Sequence, residues 1–160
     1  VIVVAPHTSN WDFFVFMMGS FVLGLRGQWL GKHSLFVGPV GWIFRQLGGI
    51  PVERSAKHDF VSQAAQTIRE STAITLVIAA EGTRKKSDHW KSGFYYVARQ
   101  AGVPIVLAYA DYAKKEAGIG TVLHPTDDVE ADVAKIREFY AGVTPKYPEQ
   151  RSEVRFLPRR

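Results

Sequence analysis

The sequence predicts an α/β fold: a single-domain sandwich with a mixed, largely parallel central sheet flanked by helices. Three observations carry this. Continuous apolar runs, two of them rich in β-branched residues, recur at 1–5 (VIVVA), 73–80 (AITLVIAA) and 103–110 (VPIVLAYA), as expected of strands buried on both faces. Segments of helical periodicity lie between them, the alternation that builds parallel sheets. A length of 160 residues, with no internal repeat, linker or low-complexity tract, suits one hydrophobic core, so residues 1–160 are read as one domain.

The strand at 1–5 leads into a helix that Ser9 can cap, with Asp12 three positions on, a capping-box-like S-x-x-D. That helix runs to about Leu23 and is apolar nearly all round. Core is its default destination, and contact with something else apolar is the alternative. Residues 28–36 (QWLGKHSLF) read as a strand, and a helix opens at Pro39 and stops at Gly48 and Gly49. Residues 50–52 form a brief extended piece. Residues 58–70 place Phe60, Val61, Ala64, Ala65 and Ile68 at helical spacing. After the strand at 73–80 come a polar loop, a helix over 94–100 closed by Gly102, and the strand at 103–110. Residues 117–126 are expected as a further strand, antiparallel to its predecessor through a turn near 114–116. Residues 129–140 read as an amphipathic helix and 153–158 as a short late strand.

An apolar fraction of 46% against 22% charged describes a globular chain. Cysteine is absent, which excludes disulfides, thiolate metal sites and a cysteine nucleophile, and fits a reducing compartment. The net charge of +5 favours an anionic partner: nucleic acid, acidic lipid, a phosphorylated substrate or an acidic carrier protein. No H-E-x-x-H, G-x-S-x-G, P-loop or G-x-G-x-x-G spacing occurs, so no metal site is expected, and a serine hydrolase, NTPase or dinucleotide enzyme is unsupported. Basic residues interleave with aromatics over 90–99, and the tail carries Arg151, Arg155, Arg159 and Arg160. No RNA-recognition signature accompanies them, and Tyr95 and Tyr96 read as helix packing residues, so nucleic acid ranks below catalysis as an explanation. The chain opens in mid-strand, so a segment preceding Val1 is expected to be missing. The apolar stretch 11–25 contains Asp12, two glycines and Ser20, and is shorter than the ~18–20 apolar residues needed to span a bilayer.

In open α/β sheets ligands sit outside the carboxyl ends of the strands. His7 follows the strand at 1–5, Arg54 the piece at 50–52, and Glu81 to Arg84 the strand at 73–80, so three loops can converge on one cleft. A neutral imidazole can take a proton from a hydroxyl, and a nearby carboxylate can fix its tautomer and stabilise the imidazolium. On a straight helix residues five apart diverge by roughly 140°, but a bend at Thr8–Ser9 lets His7 and Asp12 face each other. Taken alone the pair is weak evidence, because Asp12 can simply cap the helix while His7 sits in a turn. If both readings hold, one Asp12 oxygen should serve the helix end and the other His7. In AAEGTRKK (79–86), Arg84 offers a planar fork suited to phosphate, Gly82 lets the backbone approach an anion, and Glu81 can orient Arg84 or another basic residue. An ordinary solvated turn is the other reading. Arg54 and Lys91 are single cations, Lys91 lying near a helix start where backbone N–H groups favour anions.

Together and in order, these segments resemble the glycerolipid acyltransferase family, whose best-known members are 1-acyl-glycerol-3-phosphate acyltransferases. The H-x4-D block resembles His7-Thr8-Ser9-Asn10-Trp11-Asp12. A glycine, short apolar strand and arginine resemble Gly49-Ile50-Pro51-Val52-Glu53-Arg54. The E-G-T-R block is Glu81-Gly82-Thr83-Arg84, and a proline-containing strand block resembles Val103-Pro104-Ile105-Val106. The resemblance spans about residues 1–110. Pro6 stands where members often have Asn, Ala80 where Pro is usual, and Glu53 where Asp is more usual. None of these touches His7 or Asp12; they bear on the acceptor.

The resemblance implies transfer of a fatty acyl group from a thioester, on coenzyme A or acyl carrier protein, to a hydroxyl of a lysophospholipid such as 1-acyl-glycerol 3-phosphate. His7 would be the general base and Asp12 its orienting partner. Arg54 and Arg84 would hold the acceptor phosphate, Glu81 and Gly82 would shape the loop and count with Thr83 among the substrate-binding residues, and Lys91 would be a weaker phosphate or donor contact. A thioester is already activated, so neither a covalent intermediate nor a cofactor beyond the acyl donor is implied. Backbone N–H groups near 8–10 or Thr83 are candidate oxyanion stabilisers. The segment 13–25, Lys85, Lys86 and the tail arginines suggest peripheral attachment to a membrane, on its cytoplasmic face. Two other readings stay open: the same transfer to a lyso-aminolipid or another alcohol, and a non-catalytic module that binds anionic lipid or nucleic acid.

Overall fold

The computed structural model describes residues 1–24, 27–52, 60–71, 74–83 and 86–158. In chain order the elements are β1 (Ile2–Ala5), α1 (Asn10–Val22), β2 (Gly27–Lys32), a 3-10 turn (His33–Phe36), α2 (Gly38–Gln46), β3 (Gly49–Val52), α3 (Phe60–Glu70), β4 (Thr75–Ala79), α4 (Gly93–Ala101), β5 (Ile105–Asp111), β6 (Glu116–Leu123) and α5 (Val129–Ala141). Among the described residues the strands form one six-stranded sheet in the order β3-β2-β4-β1-β5-β6. Every neighbouring pair is parallel except β5 and β6. This is the mixed, largely parallel sheet with flanking helices that the apolar runs predict.

The central strand β1 shows why its sequence has no polar alternation. Ile2 and Val4 point into the main core, where α3, α4 and α5 contribute Ile68, Tyr95, Val97, Val133, Ile136 and Tyr140. Val3 and Ala5 point the other way, onto a smaller core shared with Ala108 and, from α1, Phe16. A strand with period-two side chains covered on both faces must be apolar at every position. The hydroxyl of Tyr140 lies 2.9 Å from the Val4 carbonyl oxygen and 2.8 Å from that of Ala108, so its one proton is shared between β1 and β5. At the end of α4, Gly102 adopts φ +68°, a left-handed C-cap that a side chain would strain.

Three local expectations are corrected. Residues 33–36 are a 3-10 turn and not the end of a strand, because the β2–β3 ladder ends at Lys32 opposite Val52. The chain then folds back to bury Phe36 against Trp29 and Phe44. Residues 153–158 form no strand. Val154 and Phe156 satisfy their alternation by entering the core, with Phe156 stacked edge-on to Phe94 of α4 and tilted against Tyr95. Third, α1 is not a core helix. Asp12 is its one buried residue, while Phe14 is 58%, Met18 63%, Phe21 81% and Val22 77% exposed. From α1, Phe16 packs on the small core and Phe13 on Trp29, both only half-buried. Among the described residues no helix is long and apolar enough to cross a membrane.

Candidate active site

The site is built where β1 ends. β1 lies between β4 and β5, with Ala5 opposite Ala79 on one side and Val4 opposite Leu107 on the other. The loops leaving these three parallel strands therefore emerge side by side.

Leaving β1, the chain turns through His7 and Thr8 and enters α1 at Ser9. Ser9 is extended (φ −146°, ψ 153°), and its side chain accepts from the N–H of Trp11 at 3.1 Å. In return Asp12 Oδ2 accepts from the backbone N–H of Ser9 and also of Thr8, each at 2.8 Å. The S-x-x-D is thus a true capping box, and it bends the chain enough to bring His7 back over the helix end. His7 Nδ1 lies 3.5 Å from the same Oδ2, at the outer edge of hydrogen-bond reach; such contacts commonly tighten when substrate binds. The imidazole is 23% exposed and the Asp12 side chain 5%.

The expected division of the Asp12 oxygens is not what is found. Oδ2 serves both the helix end and His7, while Oδ1 accepts from the phenol of Tyr112 at 2.7 Å. Burial by itself would raise the Asp12 carboxyl; the contacts from His7, Tyr112 and Ser9 outweigh it and hold Asp12 below the ordinary aspartate value. Burial and the Asp12 charge together push the Tyr112 phenol well above its usual range, so it stays a donor. Because the N–H groups of Thr8 and Ser9 are spent on Oδ2, those two positions are corrected as oxyanion donors.

Glu81 occupies the turn after β4 and is 1% exposed. It does not reach out toward a ligand. Oε2 accepts from the backbone N–H of His7 at 2.8 Å, and Oε1 from that of Ser152 at 3.2 Å. Burial raises its carboxyl above the ordinary glutamate value, with the His7 and Ser152 contacts opposing. Next to it Gly82 has φ +64°, and a Cβ there would meet the Lys91 side chain at 3.3 Å. Lys91 donates its N–H to the Ala80 carbonyl at 2.9 Å, so its exposed side chain borders the turn that carries exposed Gly82 and Thr83. The site thus gathers His7, Asp12, Glu81, Gly82, Thr83 and Lys91 around the ends of β1 and β4. Arg54 and Arg84, with Glu53 and Lys85, lie outside the described residues.

Sequence reasoning missed Tyr112 and Ser152. Tyr112 was within reach of the rule that found the others, since it follows the carboxyl end of β5, the second neighbour of β1. Ser152 carries no local signal, because it arrives from the far end of the chain. The same C-terminal segment engages two cations expected to attract lipid. Arg151 donates to the carbonyls of Val143 and Tyr140, and Arg155 to that of Asp88. Behind Asp12 a cavity of about 20 Å³, lined by Pro6, Thr8, Ala110 and Tyr140 among others, has room for one water and not for an acyl chain. Among the described residues no three His, Asp or Glu side chains are grouped as metal ligands.

The model of the acyltransferase family matches residues 1–109. Among solved structures, the 1-acyl-sn-glycerophosphate (LPA) acyltransferase PlsC from Thermotoga maritima superimposes with a TM-score of 0.54 at 22% sequence identity, over 86% of this chain and 61% of that one. The present chain therefore spans about three fifths of its length. No curated protein matches the chain.

Proposed function

The chain belongs to the acyltransferase family, and from that premise we propose that it moves a fatty acyl group from an acyl thioester, on coenzyme A or an acyl carrier protein, to the free hydroxyl of a lysophospholipid, foremost 1-acyl-glycerol 3-phosphate. The observation that carries the reading is the 3.5 Å approach of His7 Nδ1 to an Asp12 carboxylate fixed by backbone N–H groups and a phenol. That PlsC acts on 1-acyl-sn-glycerophosphate supports the choice of acceptor.

With Nδ1 turned to Asp12, the other ring nitrogen, Nε2, is the base. It takes the proton of the acceptor hydroxyl as the oxygen attacks the thioester carbonyl carbon. Collapse of the tetrahedral intermediate breaks the C–S bond, and the imidazolium returns the proton to the departing thiolate. Asp12 stays ionised throughout, its low proton affinity suiting it to steady the imidazolium. Arg54 and Arg84 receive the acceptor phosphate by the resemblance, a guanidinium being able to pair with it bidentately, with Lys91 a lesser contact. Glu81 acts through the backbone of His7.

The exposed apolar side of α1 supports peripheral attachment to a lipid surface, since it begins at Trp11, beside the catalytic aspartate. A lysolipid acceptor and a fatty acyl product both partition there.

The test is a panel of lysolipids and lyso-aminolipids incubated with acyl thioesters, following thiol release and lipid product. Thiol release dependent on a phosphate-bearing acceptor, and absent from His7→Ala, is the expected result. Release no faster than in His7→Ala with every acceptor would remove the catalytic reading and leave a lipid-binding module.

A further inference from the structure

We propose that Tyr112 is a third, positioning member of the His7–Asp12 pair: its phenol occupies Asp12 Oδ1 and so dedicates Oδ2, already aligned by the helix cap, to the imidazole. The inference rests on the acyl-transfer reading above for its kinetic consequence, though not for its geometry.

A carboxylate can rotate about its terminal torsion, and one held on a single edge could swing its other oxygen toward His7 or away from it. Here both edges are fixed from different parts of the chain. Thr8 and Ser9, at the start of α1, hold Oδ2 through backbone N–H groups at 2.8 Å each. Tyr112, from a residue 100 positions away, holds Oδ1 at 2.7 Å. Tyr112 is itself constrained on several sides. Its N–H donates to the Thr144 carbonyl at 2.9 Å, and the preceding Asp111 closes the β5–β6 turn by accepting from the N–H groups of Ala113 and Lys114, each at 3.0 Å. Lys146 Nζ stands 5.4 Å from the centre of the Tyr112 ring and 5.1 Å from that of Trp11, clasping the phenol against α1. The β5 exit and the start of α1 thereby meet at one carboxylate, with the segment after α5 holding Tyr112 in place.

The phenol also draws charge from Asp12. Its removal leaves the carboxylate more basic and concentrates its negative charge on the imidazolium. Besides the pair itself, Tyr112 from the β5 exit faces Asp12, and Lys146 and Tyr147 from the segment after α5 stand against Tyr112. Arg151 borders the cavity behind Asp12, and Glu81 accepts from the His7 backbone N–H while its charge also acts on the imidazole. Of these, Tyr112→Phe changes one donor and no formal charge.

The experiment compares the native chain, Tyr112→Phe, and a chain carrying 3-fluorotyrosine site-specifically at 112, whose more acidic phenol donates more strongly. Both replacements nearly preserve shape, and circular dichroism and melting checks confirm folding. In the turnover assay, Tyr112→Phe should lower kcat about five- to twentyfold with KM within twofold, and the acid limb of the kcat/KM profile should move to higher pH by several tenths of a unit. The fluorinated chain should move that limb the opposite way. A purely structural role would move neither limb. Independently of turnover, the His7 imidazole is titrated by NMR, its signal assigned by its loss in His7→Ala. The midpoint should rise in Tyr112→Phe and fall with fluorotyrosine. Identical midpoints in all three chains would overturn the proposal even if catalysis is intact. The opposed midpoints in a chain that turns over no acceptor would keep Tyr112 as the partner of Asp12 while removing the acyl-transfer reading.

Discussion

Glu81 Oε2 accepts the backbone N–H of His7 at 2.8 Å, so the turn after β4 grips the loop after β1 across two adjacent strands. Two short sequence blocks separated by more than seventy residues are thereby one structural unit. The first prediction follows from the two backbone N–H groups that Glu81 accepts, one on each oxygen. Gln at 81 offers one carbonyl and one NH₂, and the NH₂ must confront either the His7 or the Ser152 N–H. Glu81→Gln should therefore lose one buried bond, at about 1–3 kcal/mol of stability. A displaced His7 should reduce kcat by up to ~10²-fold, the scale of a misplacement of about an ångström. Calorimetry and steady-state kinetics with saturating acceptor check it. Full activity with a normal melting temperature would contradict the grip.

Asp12 can be stripped of its charge while its cap is kept. In Asp12→Asn the amide oxygen can replace Oδ2 beneath the Thr8 and Ser9 N–H groups, and the amide nitrogen can donate to the Tyr112 oxygen, which accepts as readily as it donates. The fold should survive with less than about 1 kcal/mol lost, whereas kcat should fall by about 10²–10⁴-fold for want of a carboxylate behind the imidazolium. Asp12→Ala should lose both. Thermal melts of the two variants beside their rates separate capping from catalysis.

The fold and half of the site were legible because their signals are local. The runs at 1–5, 73–80 and 103–110 are apolar at nearly every position since both sheet faces are covered, and Ser9 and Asp12 announce their cap within four residues. What escaped depends on contacts distant in sequence. Tyr112 finds Asp12 only because β5 lies beside β1, and Glu81 looks like the partner of a neighbouring arginine until the strand order puts His7 next to it. The late strand expected at 153–158 failed for a related reason: alternation says that Val154 and Phe156 need cover, not whether a strand or a helix supplies it.

The two site carboxylates should act oppositely on acid stability. Asp12 is held below its ordinary value in the fold, so it contributes stability that is fully present above about pH 4 and is lost as pH falls through the lowered folded value. Glu81 is raised in the fold, so its contribution is fully present below about pH 4.3 and is lost as pH rises through the raised folded value. Denaturant melts of the native chain and each amide variant between pH 3 and 8 give the comparison. The native-minus-Asp12→Asn difference should shrink on acidification, and the native-minus-Glu81→Gln difference should grow. Parallel pH curves for both pairs would contradict these assignments.

The apolar side of α1 gives the last prediction. Phe21 and Val22 are 81% and 77% exposed and contribute no buried side chain to α1, so their replacement by Ser should leave the helix and the cores intact. If α1 rests on lipid, each large apolar side chain inserted contributes about 1.5–3 kcal/mol, and the pair Phe21→Ser and Val22→Ser should weaken partitioning into phosphatidylglycerol-containing vesicles at least tenfold. Salt separates this from charge attraction, which is screened within about 10 Å at 0.1 M: the effect of the pair should persist at high ionic strength. Co-sedimentation at two salt concentrations reads both quantities. Equal partitioning of native and variant chains would show that α1 does not meet the bilayer, and the exposed helix would then need a protein partner of its own.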